Sequence, residues 1–163
     1  TEKCLIFTSF TGMTDILLHD LPLRFPGKYF NFIDGRVPVS SRQPVVDEFS
    51  ASAAPGALVL NPKAAGVGLN ITAANHVIHY NPEWNPALED QASARAYRRK
   101  QQRPVTVHQL YFADSVEEVV VSRLGLKRGL SEKAATGHNG DSTAGMVLRA
   151  LTMSPLSGIG GLE

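Results

Sequence analysis

Five short apolar runs, alternating with stretches of helical spacing, fix the kind of fold open to this chain. The runs at 3–8, 29–33, 57–61, 76–81 and 105–112 are rich in branched and aromatic residues and read as strands. Between them, 11–23, 40–49 and 86–100 carry helical patterns, and a further helix is expected from 115 to about 125. Start signals agree with this. Asn85 before Pro86 suits the cap and first position of a helix, with Glu89 and Asp90 in the turn where the dipole favours negative charge. Ser40 is placed to cap the helix carrying Arg42 and Gln43. Such alternation predicts an α/β fold, a mostly parallel sheet between two helical layers. Ligands of these sheets bind beyond the carboxyl ends of the strands. Asp34-Gly35, the loop around Gly66 and residues 81–84 fall there, with Asp34-Gly35 reading as a strand-end turn.

Two features in this frame can meet phosphate. Arg95 and Arg98 stand three apart in Asp90-Gln91-Ala92-Ser93-Ala94-Arg95-Ala96-Tyr97-Arg98. On a helix that spacing puts both guanidinium groups within reach of one point. Each keeps its charge near neutral pH and presents a rigid fork of donors suited to phosphate oxygens. With Arg99, Lys100 and Arg103 alongside, the same residues equally suit a solvated basic face. The second feature is Lys63-Ala64-Ala65-Gly66-Val67-Gly68-Leu69-Asn70, whose glycines let backbone N–H groups approach a ligand or simply turn the chain.

The order of these pieces resembles a known family. Leu5-Ile6-Phe7-Thr8-Ser9-Phe10-Thr11, Asp34-Gly35 with Arg42-Gln43, Gly66-Val67-Gly68, Trp84-Asn85-Pro86 and the Gln91 to Arg98 stretch follow one another over roughly residues 3 to 123. In that order they resemble motifs IV to VI of the second RecA-like lobe of Swi/Snf-type ATPases, the DNA-translocating branch of the superfamily-two helicase-like proteins. The Ala73 to Tyr80 stretch is most similar to bacterial or phage members. The resemblance implies a RecA-like fold over 1–130. It also implies ATP as cofactor, with Mg2+ held by a first lobe, and double-stranded DNA and that first lobe as partners.

By the same resemblance Arg95 and Arg98 match the paired arginine fingers. Gly66, Gly68 and Gln91 lie towards ATP, Ser9, Phe10, Thr11 and Lys63 towards DNA phosphates, and Trp84 couples nucleotide state to DNA movement. Ser9 or Thr11 also suits a helix cap. The chain departs from the family at Ala94, where an aspartate is usual, at Arg99-Lys100, where isoleucine-glycine is usual, and at Asn61-Pro62. The acidic partner of Arg95 and one backbone donor are thereby lost.

Composition narrows the remainder. A net charge of +1 gives no global case for nucleic-acid binding, so any such case rests on the basic cluster between Arg95 and Arg103. Cys4 is the single cysteine, which excludes an internal disulfide and fits a reducing cytoplasm; it reads as a core residue. No apolar run approaches 18 residues, so a membrane partner is not expected. The five histidines lack metal-ligand spacing, and His76 and His79 fall on opposite faces of their strand, so no metal site is expected. No phosphate-binding Gly-x-x-x-x-Gly-Lys loop is present, so this polypeptide alone is expected to lack ATPase activity. Residues 131–163 read as a glycine- and serine-rich tail with a short helix at 144–151. The alternative reading is a catalytically inactive lobe serving as a DNA- or protein-binding scaffold. A dinucleotide enzyme is disfavoured, because Gly66-x-Gly68 lacks the third glycine and the acidic residue of that fingerprint.

Overall fold

The computed structural model describes residues 2–64, 68–98 and 101–122. The described residues fall in two compact units, the first within Thr1–Asn81 and Ala87–Leu110, the second made of Pro82–Pro86 and residues 111–122. The first unit holds β1 (Lys3–Phe7), α1 (Thr11–Arg24), β2 (Tyr29–Ile33), α2 (Val39–Ala51), β3 (Gly56–Leu60), β4 (His76–His79) and β5 (Thr106–Gln109). It also holds all but the first residue of α3 (Pro86–Ser93). The five strands form one sheet in the order β2-β3-β1-β4-β5, every pair parallel.

Alternation along the strands sorts the side chains into two cores. Leu5, Phe7, Ile33, Leu58, Leu60 and Val77 face one side, where Val46 and Phe49 of α2 and Ala92 of α3 cover them. Ile6, Ala57 and Val59 face the other, packed with Leu17, Leu18 and Leu21 of α1. Cys4, half-buried, belongs to this second side, and burial pushes its thiol up to about 12. Helices on both faces give the expected three layers. Fully burying one such leucine contributes roughly 1.5–3 kcal/mol, so the central strands carry much of the stability.

Several boundaries differ from expectation for identifiable reasons. α2 begins at Val39 with Pro38, not Ser40, at its cap, and the Pro38 carbonyl takes the first bond from the Ser41 N–H. α1 is preceded by Phe10, whose N–H donates to the Thr8 hydroxyl, so neither Ser9 nor Thr11 caps it. In α3, Pro86 is the first residue, and Glu89 alone is the acidic residue of the first turn. That helix stops at Ser93 instead of reaching 100. Its successors tighten into turns: the Arg95 N–H reaches back only to Ala92 and the Ala96 N–H to Ser93. The Arg95 carbonyl, which a continuing helix would need, accepts the Ile71 N–H instead at 3.0 Å.

In the second unit a helix covers 116–122. Ser115 Oγ accepts the Glu117 N–H, while the Glu118 carboxylate takes the Asp114 N–H, a capping arrangement that holds Asp114 at φ 55°. The expected tail at 131–163 and its helix lie outside the described residues. No described helix is long and apolar enough to cross a membrane.

Candidate nucleotide and nucleic-acid site

All five strands point the same way, so every strand-to-helix loop of the sheet emerges at one edge. Chain direction across the sheet reverses between β1 and β4, because β1 connects towards β2 on one side and β4 towards β5 on the other. That is where open α/β sheets place their ligands. Two asparagines build the edge there. Asn81, just past β4, accepts the Thr8 hydroxyl at 3.0 Å and the Ser9 N–H at 3.2 Å through Oδ1. Asn61, just past β3, donates Nδ2 to the Ser9 carbonyl at 3.3 Å and accepts the Lys63 and Ala64 N–H groups through Oδ1.

The loop after β1 is thus held from both neighbouring strands. Phe10 and Thr11 are left exposed, and Lys63 is tied to the same asparagine as Ser9. The structure brings these four expected residues into one neighbourhood. The sequence motifs single out neither asparagine as a site residue. The available signal was a polar residue closing each apolar strand run.

Asp34, fully buried at the end of β2, receives the Arg36 N–H and side chain. The Val37 N–H bonds the Asp34 carbonyl, so this is the expected strand-end turn. Hydrogen bonding from the Arg36 guanidinium holds the Asp34 carboxyl below the usual carboxylate range, against the opposing effect of burial. Arg36 also reaches Asp15 of α1 at 2.8 Å. Arg42 binds the Val37 and Ala64 carbonyls, joining this turn to the glycine-bearing loop.

In that loop Gly66 lies outside the described residues. Gly68 has φ +99°, a backbone state that favours glycine. The loop continues into Leu69 and Ile71, both buried, where the arginine segment meets it. Arg95 is itself buried and donates Nη1 to the Leu69 carbonyl at 3.4 Å. Arg98 is exposed, donates Nε to the Ala94 carbonyl, and lines an open groove of about 660 Å³ with Tyr97, Gln101, Gln102, Arg103 and Pro104.

The two arginines therefore do not share a helix face. They remain electrostatically coupled, since burial first and the Arg98 charge second lower the pKa of Arg95. Among the described residues no carboxylate forms an ion pair with either. Gln91 is exposed on α3. Trp84 is 54% exposed in the second unit.

The histidines divide by face as expected. His79 is buried, stacks on Phe7 and bonds the Ser93 hydroxyl, whereas His76 bonds Glu2 and His108 on the opposite side.

Comparison with known proteins agrees with this geometry. Residues 1–100 match the helicase conserved C-terminal domain. The chain is 37% identical over 134 residues to the ATP-dependent helicase ULS1 of Saccharomyces cerevisiae, covering 82% of this chain and 8% of that protein. It is 40% identical over 117 residues to the DNA repair protein RAD5B of Arabidopsis thaliana, covering 72% of this chain and 9% of that protein. Among solved structures, the C-terminal part of the Fun30 ATPase domain superposes with a TM-score of 0.70 at 36% identity, covering 74% of this chain and 38% of that one. The chain spans between 8% and 16% of the length of four such curated relatives. The match across the sheet and its loops places this chain in the helicase conserved C-terminal domain family, as a second RecA-like lobe of the Swi/Snf type.

Proposed function

We propose that this chain is the second motor lobe of an ATP-dependent translocase of double-stranded DNA. In this reading Arg95 and Arg98 complete a nucleotide site whose phosphate-binding loop and magnesium ligands belong to a first lobe. One observation carries it. Among the described residues, Arg95 is a buried cation whose guanidinium has a single hydrogen bond, to a backbone carbonyl, with a like charge nearby and no carboxylate partner. Holding a charge that way costs folding free energy, and a phosphate oxygen is the partner that would relieve it. ATP supplies the transferable phosphoryl group; this chain supplies charge and position. Gly66, Gly68 and Gln91 approach the nucleotide. Ser9, Phe10, Thr11 and Lys63 follow a DNA strand through its phosphates rather than its bases, and Trp84 couples the two. Support for the nucleic-acid side comes from the asparagine-braced edge and from relatives named as helicases and DNA repair proteins.

The test is DNA-stimulated ATP hydrolysis by the full-length protein. Replacing Arg95 by Ala is expected to lower kcat by about 10³-fold or more with DNA binding retained, as loss of an arginine finger does. Arg95→Lys should not restore the rate, because an ammonium lacks the planar fork. An unchanged rate in Arg95→Ala overturns the arginine assignment. No hydrolysis by the parent with any nucleic acid would instead identify a scaffold.

A further inference from the structure

The segment before β4 and the segment after α3 meet along a seam of hydrogen bonds. The carbonyls of Leu69, Thr72, Ala73 and Ala74 accept from donors on Arg95, Gln101 and Arg103. Gln101 lies at the centre of it. Its Nε2 reaches the Thr72 carbonyl at 3.0 Å, the Ala74 carbonyl at 2.7 Å and the Ala96 carbonyl at 3.4 Å. Its Oε1 accepts the Arg103 N–H at 3.0 Å, and its own N–H binds the Arg98 carbonyl.

An amide side chain has two N–H donors, and here both go to backbone carbonyls while its oxygen accepts a backbone N–H. Ala96 directly follows Arg95, and the Ile71 N–H holds the Arg95 carbonyl from the facing segment. Since α3 ends at Ser93, no continuing helix fixes the Arg95 backbone. The turn hydrogen bonds and this seam do.

We infer that Gln101 is a positioning residue: it clamps residues 96, 98 and 103 to the 72–74 carbonyls and so sets where the Arg95 guanidinium sits. This rests on the proposed role of Arg95. Gln101 does not itself meet the nucleotide. Gln101→Glu turns the donor nitrogen into an acceptor facing three carbonyls, and Gln101→Met removes both functions at similar length.

The experiment is steady-state, DNA-stimulated ATP hydrolysis by the full-length protein bearing Gln101→Met, Arg95→Ala, or both. Misplacing a charge-stabilising group by about 1 Å costs on the order of 100-fold. Gln101→Met is expected to lose about that in kcat, with KM for ATP little changed, as for an interaction made only in the transition state. The double variant should be no slower than Arg95→Ala within about twofold, since both act through one group. Amide hydrogen exchange at Ile71 should quicken in Gln101→Met, reporting the loosened seam without any turnover. If Gln101→Met does not fold, Gln101→Asn, one methylene shorter, is expected to show the same kcat loss and faster Ile71 exchange.

Wild-type turnover in the Gln101 variants beside a dead Arg95→Ala overturns the positioning role alone. Losses that multiply in the double variant do the same. Full turnover in Arg95→Ala overturns the arginine assignment and this inference with it.

Discussion

The carboxyl end of α2 is finished by a side chain from β1. Lys3, buried, donates Nζ to the carbonyls of Phe49, Ser50 and Ser52 and lies over the Phe49 ring. Orphan carbonyls at a helix end attract a cation, and here one ammonium serves three. Burial, with Arg103 nearby, lowers its pKa, so the placement has an electrostatic cost. Asp34 presents the opposite case. Its side chain is 1% exposed, and Arg36 holds its pKa below the normal value. A carboxylate depressed in the folded state stabilises above the unfolded pKa, and that stability is lost as pH falls through the folded value. Asp34→Asn is therefore expected to cost about 1.5–3 kcal/mol at pH 7, the range for hydrogen bonds to charged groups. The gap between wild type and variant should close as pH falls below about 4. Urea unfolding at a series of pH values checks this; a gap that stays constant would mean that the Arg36 pairing contributes nothing.

At the scale of elements, β3 is placed by a glycine. A Cβ on Gly56 would fall inside contact distance of the Tyr29 carbonyl, because β2 and β3 start in register there. The Tyr29 N–H is meanwhile held by the Pro55 carbonyl at 3.0 Å. Gly56→Ala must push β3 away from the edge strand β2 and is expected to destabilise by about 1–3 kcal/mol, the usual cost of overpacking. Thermal unfolding beside Gly12→Ala, where an added Cβ meets nothing, isolates the effect. Equal melting temperatures would refute it. The strands are legible because continuous apolar runs report burial on both faces, as at Leu5-Ile6-Phe7. The end of α3 was not legible. Its residues 94–100 include Ala, Arg and Lys, good helix formers, and the Ile71 N–H that claims the Arg95 carbonyl comes from 24 residues away. The start of α2 was misread because a serine there looks like a cap, while the carbonyl of Pro38 already supplies the turn. In the candidate site, the motifs point to Arg95, Gly68 and Ser9 as candidates. The residues that brace them, Asn61, Asn81 and Gln101, act through backbone groups that a linear reading cannot pair.

For the whole molecule, the first unit carries a buried cation with no carboxylate partner among the described residues, a braced loop edge, and no phosphate-binding loop of the Gly-x-x-x-x-Gly-Lys kind. Charge complementarity without a group to bind triphosphate or orient water cannot by itself turn over ATP. The polypeptide alone is accordingly expected to give no DNA-stimulated phosphate release above background in a coupled assay. Steady turnover abolished by Arg95→Ala would show instead that the catalytic set is complete within these 163 residues. Durability of the loop edge follows from a detail of its two braces. Asn61 and Asn81 are each followed by proline. Spontaneous deamidation of asparagine begins when the next residue's backbone nitrogen attacks the side-chain carbonyl, and proline has no N–H to give up. Were Asn61 to become aspartate, its donor to the Ser9 carbonyl would turn into a repelling oxygen. The two amides on which the β1 loop depends are thus seated where the commonest route of chemical ageing is closed.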